Sequence, residues 1–287
     1  MTPRRLLRDA ATALLAVAAL LPGPARAQAV ARAPSGAPYA TGQLIAVSEM
    51  RRDPSTLLFE GFTASRYGHI GVVACEPTGV FVYHAAPPAV QKVPLADFLL
   101  RARTEVPGPP AFTVVEPVKP LTPAERDALV ETMGKMVGKV PYNYSMVMND
   151  CSVNCSEFAH KAFRAVGRDE VGRPEPLSGM NEGSFAGLLA QAWRRATGKD
   201  LPPGDSLGVS PAAIVNSPGL RVVYAGLPVE RLLSDLDIYE AWRLGGGLER
   251  FAQIFRVPAV QLAEAAHRPE GRVPYRPYPK SWRPPSP

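Results

Sequence analysis

Apolar and polar positions fall into blocks of two periods. Gly42 to Val47 (GQLIAV) is a short apolar run that predicts a first strand. Asp53 to Tyr67 places Leu57, Leu58 and Phe62 on one side of a helix. Two stronger strand signals follow, His69 to Cys75 (HIGVVAC) and Val80 to Ala85 (VFVYHA). Glu76-Pro77-Thr78-Gly79 between them supplies turn residues, so the pair predicts a hairpin. In the first of the two, Ile70, Val72 and Ala74 alternate onto one face, the expected core side. Val90 to Val93 predicts a third strand. Pro94 to Arg103 predicts a short helix with Leu95, Phe98 and Leu99 inward, and Ala111 to Glu116 another strand.

The helix expected from Thr122 to Val137 opens with strong start signals: Thr122 as N-cap, Pro123 at the first position and Glu125 at the third. A loop with Gly138, Pro141 and Asn143 precedes Cys155, where Phe158, Ala159, Ala162, Phe163 and Val166 begin a helical repeat that Gly167 ends. Later come a helix near Phe185 to Arg195, a short capped helix from Ser210 to Asn216 and a strand from Leu220 to Tyr224. Residues 228 to 267 read as helical with an interruption at Gly245-Gly246-Gly247. No internal repeat is visible.

The first residues change the compartment expected. Arg4, Arg5 and Arg8 precede an apolar run from Ala10 to Leu21; Pro22-Gly23-Pro24 breaks it, and Ala25-Arg26-Ala27 offers small residues for cleavage. That layout is a cleavable secretory signal, too short for a membrane span, and predicts a periplasmic or secreted protein cut after Ala27. No later apolar run is long enough to span a membrane, so none is expected in the mature chain. The expected organisation is a signal at 1–27, a flexible Ala/Pro/Gly/Ser leader at 28–40, one domain at 41–225, a helical extension at 226–267 and a Pro/Arg-rich tail at 268–287. Half of the formal charge of +6 leaves with the signal, whose four Arg face one Asp, and part of the remainder sits in the tail. A basic nucleic-acid footprint is therefore absent from the core.

Three cysteines, Cys75, Cys151 and Cys155, cannot all pair within one chain, so an exported form retains a free thiol. Cys75, after an apolar run, reads as a small buried core residue. Cys155 opens a helix, where unpaired N–H groups and the dipole favour a thiolate and can receive an oxyanion. Of the four histidines, His267 lies at the start of the tail and His160 is expected on another, solvent-facing side of the Cys155 helix. His69 opens a strand beside a prospective cleft, as a general base requires. His84 lies fifteen residues on, near the end of the next strand, where a hairpin brings it within reach to orient His69. Glu157 reads as a first-turn carboxylate that complements the dipole, and Asp97 and Asp150 as solvated.

The strings Tyr67-Gly68-His69-Ile70-Gly71-Val72-Val73, Val82-Tyr83-His84-Ala85, Pro141-Tyr142-Asn143-Tyr144 and Asn154-Cys155-Ser156-Glu157-Phe158, in this order, resemble the permuted papain-like hydrolases of the YiiX/YaeF group, relatives of NlpC-type cell-wall peptidases. Residues 208–215 and 217–223 resemble the segment that closes that domain, so the likeness covers roughly 41 to 225. The resemblance implies an α+β, circularly permuted papain-like (NlpC-like) domain, an antiparallel sheet packed on helices, here with an α-helical C-terminal extension. It also implies Cys155 as nucleophile, His69 as base, and Tyr142 and Ser156 near the oxyanion or substrate. That group commonly carries an acidic third residue where this chain has His84, a type that NlpC relatives often use. The implied substrates are amide or ester bonds in peptides or acylated small molecules, peptidoglycan among them, with no metal or organic cofactor.

Two other readings remain open at this stage. Cys151-x-x-x-Cys155 with Met146 and Met148 has the soft-ligand composition of a copper-binding or thiol-redox protein. A binding module for lipid or peptide on the same fold, with a vestigial cleft, is the other. Asp150-Cys151-Ser152 also imitates the Asp-Cys-Ser of NlpC enzymes, but the apolar repeat starts after Cys155.

Overall fold

The computed structural model describes residues 39–48, 54–63, 65, 67–101, 112–177, 185–226, 234–244 and 247–269. The expected signal segment and most of the leader and of the tail lie outside them.

The strand blocks form β1 (Leu44–Val47), β2 (His69–Glu76), β3 (Gly79–Ala86), β4 (Ala89–Pro94) and β5 (Phe112–Pro117). A later strand, Leu220–Ala225, completes the sheet; it is β8, after β6 (Glu175–Pro176) and β7 (Leu207–Gly208), a two-stranded ribbon the sequence did not signal. Among the described residues the main sheet has six strands in the order β4-β3-β2-β1-β5-β8, every pairing antiparallel. The β2–β3 hairpin runs in the register Val72↔Tyr83 to Glu76↔Gly79.

The helices are α1 (Pro54–Thr63), α2 (Leu95–Arg101), α3 (Pro123–Met136), α4 (Cys155–Arg164), α5 (Ala186–Thr197), α6 (Pro211–Val215), α7 (Asp235–Leu244), α8 (Gly247–Phe255) and α9 (Ala259–His267). Thr122 caps α3 as expected: its hydroxyl accepts from Glu125 N at 3.2 Å while the Glu125 carboxylate accepts from Thr122 N at 2.6 Å. The C-terminal stretch breaks once more than expected. Arg256 turns into the left-handed region at φ 51° and Pro258 then starts α9, because proline cannot continue a helix.

The centre of the sheet is buried on both faces, not one. Ile70, Val72 and Ala74 of β2 pack with Phe158, Ala159 and Ala162 of α4; Val73 on the opposite face packs with Val82 and with Phe98 and Leu99 of α2. A helix on each side makes β2 a continuous apolar run. A separate core joins Leu57 and Phe62 of α1, Leu189 and Trp193 of α5, and Trp242, Phe251 and Leu262 of α7–α9. Within it the Trp242 indole N–H donates to the Glu60 carboxylate at 3.0 Å, across 182 residues of chain. Met146 is also buried in this core, so the loop ahead of α4 reaches from one core to the other.

Two expectations are corrected here. Cys75 is exposed: it ends the alternating run of β2, and its thiol donates to the Tyr39 carbonyl at 3.1 Å. His160 is buried, its Nδ1–H donating to the Val171 carbonyl at 3.0 Å. After Gly167, in the left-handed region at φ 75°, the chain folds back over the α4 face that the helical count alone assigned to solvent.

Candidate active site

Cys155 is the first residue of α4, and what holds it there is a capping box. Asn154 is extended (φ −85°, ψ 179°), and its Oδ1 accepts from Ser156 N at 3.1 Å and Glu157 N at 2.9 Å. The Glu157 carboxylate reaches back to Asn154 N. The Asn154-x-x-Glu157 spacing is a helix-start signal legible in the sequence itself.

Glu157 does more than complement the dipole. It is fully buried, and its two oxygens accept from the Asn143 side-chain amide (3.0 Å) and Asn149 N (2.9 Å) and pair with Lys161 Nζ (2.9 Å). A buried carboxylate is tolerable only when so satisfied. The consequence is positional: the loop from Asn143 to Asn149 is tied to the first turn of the helix that presents the thiol.

Facing that thiol is the start of β2. Burial pushes the Cys155 thiol up, but the positive charge and hydrogen bond of His69, the Ser156 hydroxyl and the Ile70 N–H together hold it below the usual thiol range. Ser156 Oγ lies 3.7 Å from the sulfur and Ser156 is itself fully buried. Cys155 and His69 are 4% and 6% exposed, so the pair is shielded but not sealed from solvent.

His69 Nε2 lies 2.8 Å from His84 Nδ1. The hairpin register explains how. Carried one residue past Val72↔Tyr83, it sets Gly71 opposite His84, so His69 is the diagonal neighbour of His84 on the same face. Between them Gly71 has no side chain; a Cβ there would collide with Val82 Cγ1 and come within 3.2 Å of Phe98 Cε2. Phe98 fills the space instead, its ring centroid 5.7 Å from His69 and 5.2 Å from His84. Because Nε2 of His69 is engaged by His84, Nδ1 is the nitrogen left for the thiol. In the tautomer in which His69 Nε2–H donates to His84 Nδ1, His69 Nδ1 carries the free lone pair and can take a proton.

The structure thus brings His69, His84, Cys155 and Ser156 together. Tyr142 lies on the segment that bridges to Val153, two residues before Cys155; its N–H donates to the Pro88 carbonyl at 2.9 Å, and its half-buried ring meets Tyr144 edge-on at 5.1 Å. Cys151 is exposed on a turn held by Asn149 Oδ1 and is not joined to Cys155. Asp97 and Asp150 are exposed. Among the described residues no group of three or more His, Cys, Asp or Glu side chains could hold a metal ion, and His69 and His84 turn one nitrogen each toward the other.

A helix-borne cysteine, a strand-borne histidine and an antiparallel sheet in this chain order are the parts of a papain-like site with the strands first. The family model for the permuted papain-like amidases (YaeF/YiiX, C92 family) matches residues 39–224. The chain belongs to the C92 family. Its members are cysteine peptidases or amidases, so this C92 protein is a cysteine hydrolase, and its α+β fold is the permuted papain-like one. Among solved structures it is similar to the crystal structure of the metalloprotein YiiX from Escherichia coli O157:H7, with 25% identity and a TM-score of 0.55 over 66% of this chain and 98% of that one. No curated protein matches the chain.

Proposed function

We propose that this C92 protein is an exported amidase or esterase that works through an acyl-enzyme on Cys155, acting on wall peptides or on acylated molecules of the cell envelope. The observation that carries the reading is the 2.8 Å contact of His69 Nε2 with His84 Nδ1, which commits the other face of His69 to a thiol already held below its usual range. His69 Nδ1 accepts the Cys155 proton, and the thiolate attacks the carbonyl carbon. The oxyanion is received by the Cys155 N–H, the helix-start donor that the Asn154 cap does not take, with Tyr142 alongside. Collapse expels the amine or alcohol, which takes the proton from His69; water then enters by the same route in reverse and releases the acid. His84 stabilises the imidazolium that forms in each half.

Export rests on the N-terminal pattern of Arg4, Arg5 and Arg8, the apolar run to Leu21 and the small residues before Gln28. Among the described residues no helix is long and apolar enough to cross a membrane. The basic tail after His267 would hold the protein on anionic envelope surfaces at low salt.

The test is trapping. Purified protein mixed with a p-nitrophenyl ester and quenched in acid is expected to gain one acyl mass on the Cys155 peptide, and Cys155→Ala none. Acyl mass on Cys151 instead would overturn the assignment.

A further inference from the structure

The capping amide of α4 has a second end. Asn154 Oδ1 is fixed by the N–H groups of Ser156 and Glu157, which also settles which atom of the carboxamide is oxygen. Its Nδ2 therefore points away from the helix end. Among the described residues that donor has no hydrogen-bond partner, although Asn154 is completely buried. A buried amide donor without an acceptor costs free energy and calls for an explanation. The cap also takes the N–H of Ser156 and of Glu157 but not that of Cys155, the residue next to it. Two adjacent donors, one from the backbone and one from a side chain, thus sit at the start of the helix that presents the sulfur, while the remaining polar atoms of the cap are satisfied.

We propose that Asn154 Nδ2 and the Cys155 N–H together form the oxyanion hole of this hydrolase. The inference rests on the reading of Cys155 as nucleophile. As the thiolate forms its bond to the carbonyl carbon, the C=O π pair moves onto oxygen, and the charge that develops there meets both N–H donors. When the carbonyl re-forms, the leaving group departs with its electron pair and the donors are released. Asn154 and Cys155 are adjacent in the chain and both buried, at 0% and 4% exposure. The preference is for planar acyl donors, esters and amides, over electrophiles that react without an oxyanion.

That difference gives the test. Serine and threonine also cap helices well, but neither provides the amide N–H. Asn154→Ser, Asn154→Thr and wild type are compared at one pH in two reactions at Cys155: acylation by p-nitrophenyl acetate, which passes through a tetrahedral oxyanion, and alkylation by iodoacetamide, a displacement at carbon that does not. Acylation is expected to fall about a hundredfold in both variants, with alkylation within twofold of wild type. If acylation stays within threefold of wild type, Asn154 is a cap only and the proposal fails. If both reactions fall together, the residue positions the cysteine and the proposal fails as well. Wild type that alkylates but is never acylated would instead sink the hydrolase reading itself. Two capping variants guard against one that misfolds, and near-ultraviolet circular dichroism reports it.

Discussion

His69 Nε2 and His84 Nδ1 stand 2.8 Å apart although fifteen residues separate them, because the β2–β3 register makes them diagonal neighbours with only Gly71 between. An imidazole thus stands where the proposed mechanism needs a group to orient the base. It brings no fixed negative charge, so in that mechanism the imidazolium formed during acylation is stabilised by orientation more than by an ion pair.

The first prediction concerns that partner. His84→Ala leaves His69 free to rotate and to present the wrong nitrogen, and acylation of Cys155 is expected to fall about a hundredfold or more. His84→Asp, which still accepts the hydrogen bond, should recover much of it. Stopped-flow burst rates with a p-nitrophenyl ester decide; an unchanged rate in His84→Ala would remove His84 from the mechanism.

Gly71 is the second. A methyl group there meets Val82 and Phe98, both in the buried layer under the imidazoles. Gly71→Ala is expected to cost about 1–3 kcal/mol of stability from overpacking and to slow Cys155 alkylation at neutral pH as the imidazoles shift. Pairing Gly71→Ala with Phe98→Leu should restore part of both losses, as urea melts and alkylation rates would show.

The third addresses Glu157. Its carboxylate is buried and satisfied by Asn143, Asn149 and Lys161, and breaking a buried pair costs more than forming it gains. Glu157→Gln is expected to lower stability by about 3 kcal/mol and to loosen the loop from Asn143 to Asn149. Faster amide hydrogen exchange confined to that loop is the signature; exchange unchanged there would deny Glu157 its anchoring role.

The helices after residue 234 share a core with α1 and α5. Trp242→Ala, which empties part of that core and deprives Glu60 of its indole donor, should destabilise by about 3–5 kcal/mol. A drop below 1 kcal/mol in denaturant titration would mean that these helices fold independently of α1.

The parts of the site legible in the sequence are those set by local pattern: the hairpin that carries His69 and His84, and the apolar repeat that starts at Cys155. What was not legible depends on partners far away in the chain. Phe98 and α4 bury both faces of β2, so its alternation concealed a second packed face. The return of the chain after Gly167 buries His160, which helix geometry alone exposes. Cys75 carries an apolar run's last residue out to the surface because the run ends before the strand does. Glu157 reads from the sequence only as a first-turn carboxylate that complements the dipole, because the loop it holds, Asn143 to Asn149, has no period by which to place it. The link between α1 and α7 spans 182 residues and has no local signature.

The most direct test of the account is alkylation of Cys155 by iodoacetamide from pH 5 to 9, read peptide by peptide, in wild type and His69→Ala. The His69-dependent influences lower the thiol against the burial that raises it, so the thiolate persists as pH falls and reactivity is lost only on passing below the depressed value. In wild type Cys155 should therefore stay reactive at lower pH than an ordinary thiol. Cys75 is exposed as a residue, but its sulfur is partly covered where it meets the Tyr39 carbonyl, which pushes the thiol up, so it should react only at alkaline pH. In His69→Ala burial acts with less opposition, and the Cys155 profile should move to alkaline pH with the neutral-pH rate largely lost. A Cys155 profile that is the same with and without His69, or a Cys151–Cys155 disulfide in the purified protein, would contradict the account.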